Sequence, residues 1–263
     1  MIWAIRRHPF LYLSRFRLLS KDSSVDELDV YIYNSINPKE DISPFFYEIN
    51  ELIFKDSLPK TDLECVKTLC RWLKTHIRGG AGLSEHSELA LKKMLNNKGG
   101  VCSDIVQVFN NFCVLNGISV REWGCTRAPF DKSFGGHSFN EVFITELNKW
   151  VLLDVPSCIM FYYEGTTPLS VIEFYQFLRD NRAIRFDSFC EIERANHNRV
   201  IRNFYNTIPF LVCNYSNRTY DLFLKRLRPY VPIFVVHFIL YVLNKSYHYR
   251  FPIDDYRKIF LKV

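Results

Sequence analysis

Three features of the sequence predict an α+β fold. Apolar residues recur at helical spacing over residues 61–77, 87–97 and 102–116. From Ile118 to Val155 the chain changes to short runs rich in β-branched and aromatic residues, which are typical of strands. The helices precede the strands and do not alternate with them, and this order favours an α+β plan.

The first helix of this core begins at Thr61, because Thr61 and Glu64 have the spacing of a capping box. Its apolar stripe comprises Leu63, Val66, Leu69, Cys70, Leu73 and Ile77. The glycine cluster at residues 77–82, IRGGAG, ends the helix. It lacks the GK[ST] ending of a phosphate-binding loop, so the pattern does not favour a nucleotide site.

Two more helices follow, separated by a glycine pair. The first runs over about Ser87–Asn97, and Gly99–Gly100 then interrupt the helical pattern. The next helix extends from Cys102 to about Asn116, where Gly117 is a natural stop. Cys102 is therefore expected on the first turn of a helix, directly after a flexible loop.

Three strands are predicted after this helix, namely Ile118–Cys125, His137–Thr145 and Lys149–Val155. The last two are close enough in sequence to form a hairpin. If His137 faced Asp154 directly, the hairpin would be centred between residues 145 and 146, before the turn-forming Asn148. We therefore expect either an irregular loop or a diagonal contact between His137 and Asp154.

Composition is that of a globular protein, with 263 residues, 48% hydrophobic residues and 16% aromatic residues. A net charge of +6 is too small to indicate nucleic-acid binding, which we do not expect. Arginines interrupt the apolar stretch at the N-terminus, so the pattern does not indicate a secretory signal. The eight cysteines form no CxxC motif, which favours reduced thiols in a cytoplasmic protein without a metal or other cofactor.

The segment Pro229–Leu243 is almost wholly apolar but shorter than a membrane span. A buried core helix is the favoured interpretation. The alternative is a peripheral contact with the inner face of a membrane, made by this segment together with the basic N-terminus, Met1–Lys21.

Three residues in the predicted core have the chemistry needed for thiol acyl transfer. A helix N-terminus favours an anion and would lower the pKa of the Cys102 thiol, while its free N–H groups could stabilise an oxyanion. His137 could move the proton, and Asp154 could fix its tautomer. Taken singly, the three residues are more typical of a buried thiol, a surface histidine and a turn aspartate. Their order along this fold favours catalysis.

The segments KGGVCSDIVQVFNNFCVLNGISVREWGC, GGHSFNEVF and KWVLLDV resemble the core of the transglutaminase-like superfamily, in particular its bacterial-type domains. The residues that match are Gly100, Cys102, Gly117, Gly124, His137, Glu141, Val142, Trp150, Val151 and Asp154. The resemblance implies a papain/transglutaminase-like core, in which the Cys102 helix packs on an antiparallel sheet. It also implies that Cys102 is the nucleophile, His137 the general base and acid, and Asp154 the orienting carboxylate.

The chain departs from the family pattern in three places. After Asp154 the family often has a turn residue and Thr or Ser, whereas this chain has Val155, Pro156 and Ser157. Phe139 stands where the family commonly has tryptophan, which preserves an aromatic side chain. The family's second oxyanion donor, upstream of the cysteine, has no clear counterpart; Trp72, His76 and His86 are the candidates.

The predicted organisation has three parts. Residues 1–60 form a basic, aromatic extension with lead-in helices, residues 61–160 the catalytic core, and residues 161–263 a helical, aromatic-rich elaboration packed on that core. The predicted function is acyl transfer through a Cys102 thioester, either hydrolysis of a peptide or amide, or transfer to an amine. The alternative is a non-catalytic module of the same fold that binds an acidic partner or a membrane surface.

Overall fold

The computed structural model describes residues 9–190 and 197–261. Residues 1–8, which carry part of the predicted basic extension, lie outside the described residues. The helices are α1 Pro9–Leu19, α2 Tyr33–Ile36, α3 Pro44–Phe54, α4 Asp62–His76, α5 Ser87–Leu95, α6 Cys102–Leu115, α7 Val171–Arg179, α8 His197–Arg202, α9 Asn217–Leu227 and α10 Ile233–Val242. The strands are β1 Ser20–Asp22, β2 Val120–Arg127, β3 His137–Ile144, β4 Lys149–Asp154, β5 Ile159–Tyr162, β6 Arg185–Ser188, β7 Thr207–Cys213 and β8 His248–Phe251.

One mixed sheet carries these strands in the order β1-β8-β7-β2-β3-β4-β5-β6. The pairing is antiparallel except between β1 and β8, which run parallel. The three strands predicted from the sequence, β2, β3 and β4, are adjacent at its centre. Helix α6 packs on this central region, against β2 and β3, so the α+β plan with a cysteine-bearing helix on an antiparallel sheet is confirmed.

The elaboration after residue 160 contains helices, as predicted, and also three strands of the same sheet that the sequence prediction did not include. Strand β7 pairs along β2, with Trp123 opposite Leu211, and β8 then pairs with β7. Strand β6 pairs with β5 on the other side. Strand β7 is largely apolar, whereas β6 and β8 have only four residues each and contain charged side chains. Their pairing depends on edges formed by distant parts of the chain, so local sequence patterns do not reveal it.

Helix α4 begins where its sequence predicts. The Thr61 hydroxyl accepts a hydrogen bond from the Glu64 N–H at 3.1 Å, which satisfies one free donor of the first turn. The Glu64 carboxylate accepts from the Lys60 N–H at 2.8 Å, one residue before the position expected for a capping box. The helix then buries its apolar stripe against α6 and α3.

The β3–β4 hairpin settles how His137 and Asp154 meet. Asn140 pairs with Leu153 and Ile144 with Lys149, and residues 145–147 form a single 3-10 turn before Asn148, whose φ is +47°. Extending this register by one step places Asp154 beside Phe139, two residues from His137. The contact is therefore diagonal, one of the two expected arrangements.

The N-terminal helix α1 docks on the C-terminal strands. Phe16 is 1% exposed and packs edge-on against Phe210 of β7, with its ring centre 5.3 Å away. It also stacks on Tyr249 of β8 at 4.8 Å. Full burial of a phenylalanine contributes about 1.5–3 kcal/mol, so these contacts fix the two ends of the chain to each other beside the central sheet.

The apolar segment Pro229–Leu243 forms α10, which buries only part of its surface. Val236 and Leu240 are fully buried, whereas Phe238 is 61% exposed and Val242 is 63% exposed. Within residues 9–190 and 197–261, every helix is too short or too polar to span a bilayer.

The cysteines require one correction. Cys158 and Cys190 form a disulfide, so the expectation of eight reduced thiols was wrong for this pair. The backbone explains the contact, because the Phe189 N–H donates to the Cys158 carbonyl at 3.1 Å and brings residue 190 alongside. Of the free thiols in the described residues, Cys102 alone is partly accessible; Cys65, Cys70, Cys113, Cys125 and Cys213 are buried.

Candidate active site

Cys102 is the first residue of α6, as the sequence predicts. The preceding glycines have φ values of +118° at Gly99 and +119° at Gly100, a region that favours glycine. A Cβ atom on Gly100 would stand 2.7 Å from the Met94 sulfur, and one on Gly99 would stand 2.5 Å from the Ala81 carbonyl. These glycines therefore allow the two loops beside Cys102 to approach each other closely.

Hydrogen bonds hold these two loops together. The Gly80 N–H donates to the Gly100 carbonyl at 2.8 Å, and the Gly100 N–H donates to the Ala81 carbonyl at 2.9 Å. The glycine cluster that ends α4 therefore supports the Cys102 loop.

Asp104 adds a second connection that the sequence analysis missed. One oxygen of its carboxylate accepts from the Val101 N–H at 2.9 Å and from the Leu83 N–H at 3.1 Å. Burial raises the pKa of Asp104, and the hydrogen bonds from the backbone offset this only in part. An aspartate at the third position of a predicted helix is a recognisable capping signal, but the bond to Leu83 depends on the fold.

His137 begins β3, directly opposite Cys125 of β2. Its ring packs at 5.5 Å from the ring of Phe204, which belongs to the C-terminal elaboration, and at 6.1 Å from Phe139. Phe139, the residue that replaces the family's usual tryptophan, is fully buried and remains an aromatic support for this ring.

The imidazole lies between the thiol and a buried carboxylate. His137 Nε2 is 3.2 Å from Asp154 Oδ1, and Asp154 is fully buried at the end of β4. The Cys102 thiol interacts with the same imidazole, and this interaction lowers the pKa of the thiol. The structure thus brings together all three residues selected from the sequence.

Electrostatics at this site favour charge separation. Burial raises the pKa of the Cys102 thiol, but the hydrogen bond and charge of His137, with a hydrogen bond from the Ser138 N–H, outweigh it and lower the pKa overall. Burial lowers the pKa of His137, but Asp154 and Cys102 raise it well above its ordinary value. Both shifts favour a thiolate beside an imidazolium.

A cavity of about 360 Å³ opens onto Cys102 and His137. This volume lies within the range of small-molecule sites. Ser103 and Ser138 lie on its wall near the thiol, and α1, β7, β8, α9 and α10 supply much of the rest. The N-terminal helix and the C-terminal elaboration therefore shape the space in front of the cysteine.

None of the suggested upstream oxyanion donors lines this cavity. Trp72 and His76 stack on each other with ring centres 4.3 Å apart, and His76 Nδ1 lies 2.8 Å from the Trp72 carbonyl. His86 caps α5, where its ring accepts from the Leu89 N–H at 3.4 Å. The free N–H groups of the first turn of α6, including that of Cys102, remain the candidate donors.

Glu141, another residue of the motif, has a structural role. It is 2% exposed and accepts hydrogen bonds from Trp123 Nε1 at 3.1 Å, from Arg121 at 3.3 Å and from the Val171 N–H at 2.9 Å. The last of these fixes the start of α7, so Glu141 connects the central sheet to the C-terminal elaboration. Within the described residues, no cluster of histidine, cysteine and carboxylate side chains is suited to hold a metal ion.

A cysteine at a helix start, near a histidine and a buried aspartate on neighbouring antiparallel strands, has the arrangement of residues that a papain-like thiol site requires. Residues 54–155 match the model of the transglutaminase-like superfamily, so this core of the chain is similar to that superfamily. The matched segment contains Cys102, His137 and Asp154, and this similarity supports a cysteine-dependent catalytic role in general.

Among solved structures, the "Putative Cysteine Protease" from Cytophaga hutchinsonii is similar to part of the chain. The two are 18% identical, with a TM-score of 0.32, and the match covers 42% of this chain. The chain spans 37% of the length of that structure. A comparison with curated proteins finds no match.

Proposed function

We propose that the protein is an enzyme that transfers acyl groups through a thioester on Cys102. The observation that carries this proposal is the position of His137, which contacts both the only partly accessible free thiol of the described residues and a fully buried aspartate. A thiol with a lowered pKa beside such a histidine is an activated nucleophile.

The reaction has two steps. The Cys102 thiolate attacks the carbonyl carbon of an amide, a C–S bond forms, and the C–N bond breaks. The imidazolium of His137 gives its proton to the leaving amine, and Asp154 stabilises the charged ring beforehand. Water or an amine then attacks the thioester while neutral His137 removes a proton from that nucleophile. The C–S bond breaks, the acid or the new amide leaves, and the Cys102 thiolate and the His137 imidazolium are restored.

As the thiolate attacks, negative charge develops on the carbonyl oxygen of the substrate, and hydrogen-bond donors must stabilise it. Cys102 lies at the N-terminus of a helix of 14 residues, where backbone N–H groups are free and the helix dipole favours an anion. The bonds of Asp104 to Val101 and Leu83 hold this helix start against the neighbouring loop without using the Cys102 N–H.

Hydrolysis of a peptide or other amide is the reaction we favour, and amide formation with an amine acceptor is the alternative. Both use the same three residues, so access of water to the thioester decides between them. A non-catalytic module of this fold would need neither an ionised thiol nor a partly accessible one, and the arrangement around Cys102 favours the enzyme.

Selective alkylation tests the proposal. Limiting iodoacetamide near neutral pH, followed by mass-spectrometric mapping, should label Cys102 ahead of the buried cysteines, because only its thiol is both accessible and lowered in pKa. His137→Ala should remove this preference. His76→Ala is the matched control, since His76 is exposed and does not line the cavity. Labelling of Cys102 no faster than Cys65 or Cys213 would refute an activated thiol.

A further inference from the structure

Arg15 is a cationic side chain in the active-site cavity. It belongs to α1, outside the residues that match the family model, and it lines the same cavity as Cys102 and His137. Much of the surface of Arg15 is accessible, and the side chain has Tyr247 and Tyr249 beside it. This accessible surface borders the open cavity.

The known contacts of Arg15 leave most of its donors unused. One guanidinium nitrogen donates to the Tyr249 hydroxyl, and the guanidinium carbon lies 5.8 Å from the ring centres of Tyr247 and Tyr249. Arginine has five N–H donors in a planar fork that matches a carboxylate or a phosphate. Among the described residues, no carboxylate lies within ion-pair distance of Arg15.

The carboxylates on the cavity wall have other partners. Glu85 pairs with Lys93 at 2.6 Å, and Asp104 accepts its backbone hydrogen bonds beside Cys102. Burial raises the pKa of Glu122 to about 8, partly offset by a hydrogen bond from Asn110, so it is largely neutral near pH 7.

The charge of Arg15 also acts on the one histidine at its end of the cavity. Burial, together with the positive charge of Arg15, lowers the pKa of His237 to about 3, so His237 is neutral near pH 7. Among the described residues that line the cavity, Arg15 is the only lysine or arginine. An arginine that borders a cavity and has no carboxylate partner there can bind an anion through its free N–H donors.

We propose that Arg15 binds an anionic group, a carboxylate or a phosphate, of the substrate whose acyl carbon reacts at Cys102. Phe210, Tyr220 and Leu224 line the cavity beside it and supply an apolar wall for the intervening part of the molecule. The substrate class is therefore an acyl compound with an apolar middle and an anionic end. This inference rests on the proposed function for the identity of the reacting group.

Paired alkylating reagents test it. Bromoacetyl-β-alanine and bromoacetyl-γ-aminobutyrate carry a carboxylate at two distances from the reactive carbon, and their carboxamides are neutral controls. Bromoacetyl-aminopropyl phosphate and its hydroxyl analogue test phosphate in the same way. We expect at least one anionic reagent to label Cys102 about tenfold faster than its neutral partner, the effect of one charge-assisted hydrogen bond. The pair that shows the larger ratio distinguishes carboxylate from phosphate.

Variants assign the effect to Arg15. Arg15→Gln should remove the preference, so that an anionic reagent and its neutral partner label Cys102 at the ratio set by their intrinsic reactivities. Arg15→Lys should retain part of the preference, because lysine keeps the positive charge but not the planar set of N–H donors. Arg17→Gln is the matched control on the same helix, since Arg17 is exposed and lies over Phe260. A ratio unchanged in both Arg15 variants would overturn the proposal.

The neutral reagents and a binding experiment separate this inference from the proposed function. Slow labelling of Cys102 by the neutral reagents would count against the activated thiol alone. Glutarate and inorganic phosphate, titrated by calorimetry, should bind the wild-type protein and lose about tenfold in affinity in Arg15→Gln. Fast neutral labelling without an anion preference, or binding of both anions that is insensitive to Arg15, would refute the anion site and leave the thiol chemistry intact.

Discussion

Removal of the Asp104 carboxylate should both destabilise the fold and disturb the thiol. In the wild-type protein the N–H groups of Val101 and Leu83 donate to one carboxylate oxygen of Asp104, at 2.9 and 3.1 Å. Asp104→Ala removes this acceptor. Leu83 is 8% exposed, so water replaces that bond poorly. Each buried donor left without a partner costs about 1–3 kcal/mol, and we expect a total loss of roughly 2–4 kcal/mol in the free energy of unfolding.

Urea denaturation measures this loss, and the rate of Cys102 alkylation in the folded protein measures the effect on the site. Asp104→Asn should cost less, because it keeps one acceptor oxygen while removing a carboxylate whose pKa burial has raised. Asp187→Ala is the control, since Asp187 is 58% exposed and pairs only on the surface of β6; such a pair contributes about 0–1 kcal/mol. A loss below about 0.5 kcal/mol in Asp104→Ala, or an unchanged alkylation rate, would refute the assigned role.

Three further outcomes are expected. The alkylation rate of Cys102 should rise with pH, with a midpoint below the pKa of an ordinary thiol. Asp154→Asn should raise this midpoint, because it removes the carboxylate that favours the imidazolium form of His137. Identical pH profiles for the two proteins would contradict an effect of Asp154 on the thiol. The pKa of Glu122 is raised to about 8 in the folded protein, so as the pH rises the unfolded protein loses the Glu122 proton first. The free energy of unfolding should therefore fall between about pH 4.5 and 8, by up to about 1.4 kcal/mol per pH unit. Urea denaturation at pH 5.5 and 7.5 should show that Glu122→Gln reduces this fall, and an equal fall in the variant would refute it. If α10 contacts membranes, the protein should float with anionic vesicles, and Phe238→Ser should weaken flotation more than Tyr47→Ser, a substitution of an exposed aromatic residue on α3; equal effects would contradict the contact.

The central part of the fold could be predicted because its signals are local. Capping at Thr61, the glycine pair before Cys102 and the stop at Gly117 each depend on neighbouring residues. The three central strands and their hairpin follow from the same kind of pattern. Even the diagonal contact of His137 with Asp154 was one of two arrangements that the loop length allowed.

The remaining features depend on contacts between distant residues. Strand β7 forms by pairing with β2, which lies far from it in the sequence. The Cys158–Cys190 disulfide forms because residues 189–190 lie beside the start of β5. Arg15 stood out in the sequence only as one of several N-terminal arginines. Arg15 reaches the cavity because the neighbouring Phe16 packs on the C-terminal strands. The spacing of residues in the sequence does not predict this packing.

The candidate site divides in the same way. Cys102, His137 and Asp154 could be selected because their residue types have few joint uses other than catalysis. Asp104 and Phe204 could not, since each acts through a partner far along the chain, Leu83 in one case and the His137 ring in the other.

Acylation of Cys102 by p-nitrophenyl acetate is the most direct test of the thioester. Mixing with excess reagent should release a burst of about one equivalent of nitrophenolate per protein, with the acetyl group mapped to Cys102 and removed by neutral hydroxylamine. Cys102→Ser should lack the burst, and His137→Ala should slow it by about 10²-fold or more, the usual contribution of a general acid–base residue. Absence of a burst, or an acetyl group on any other residue, would contradict acyl transfer through Cys102.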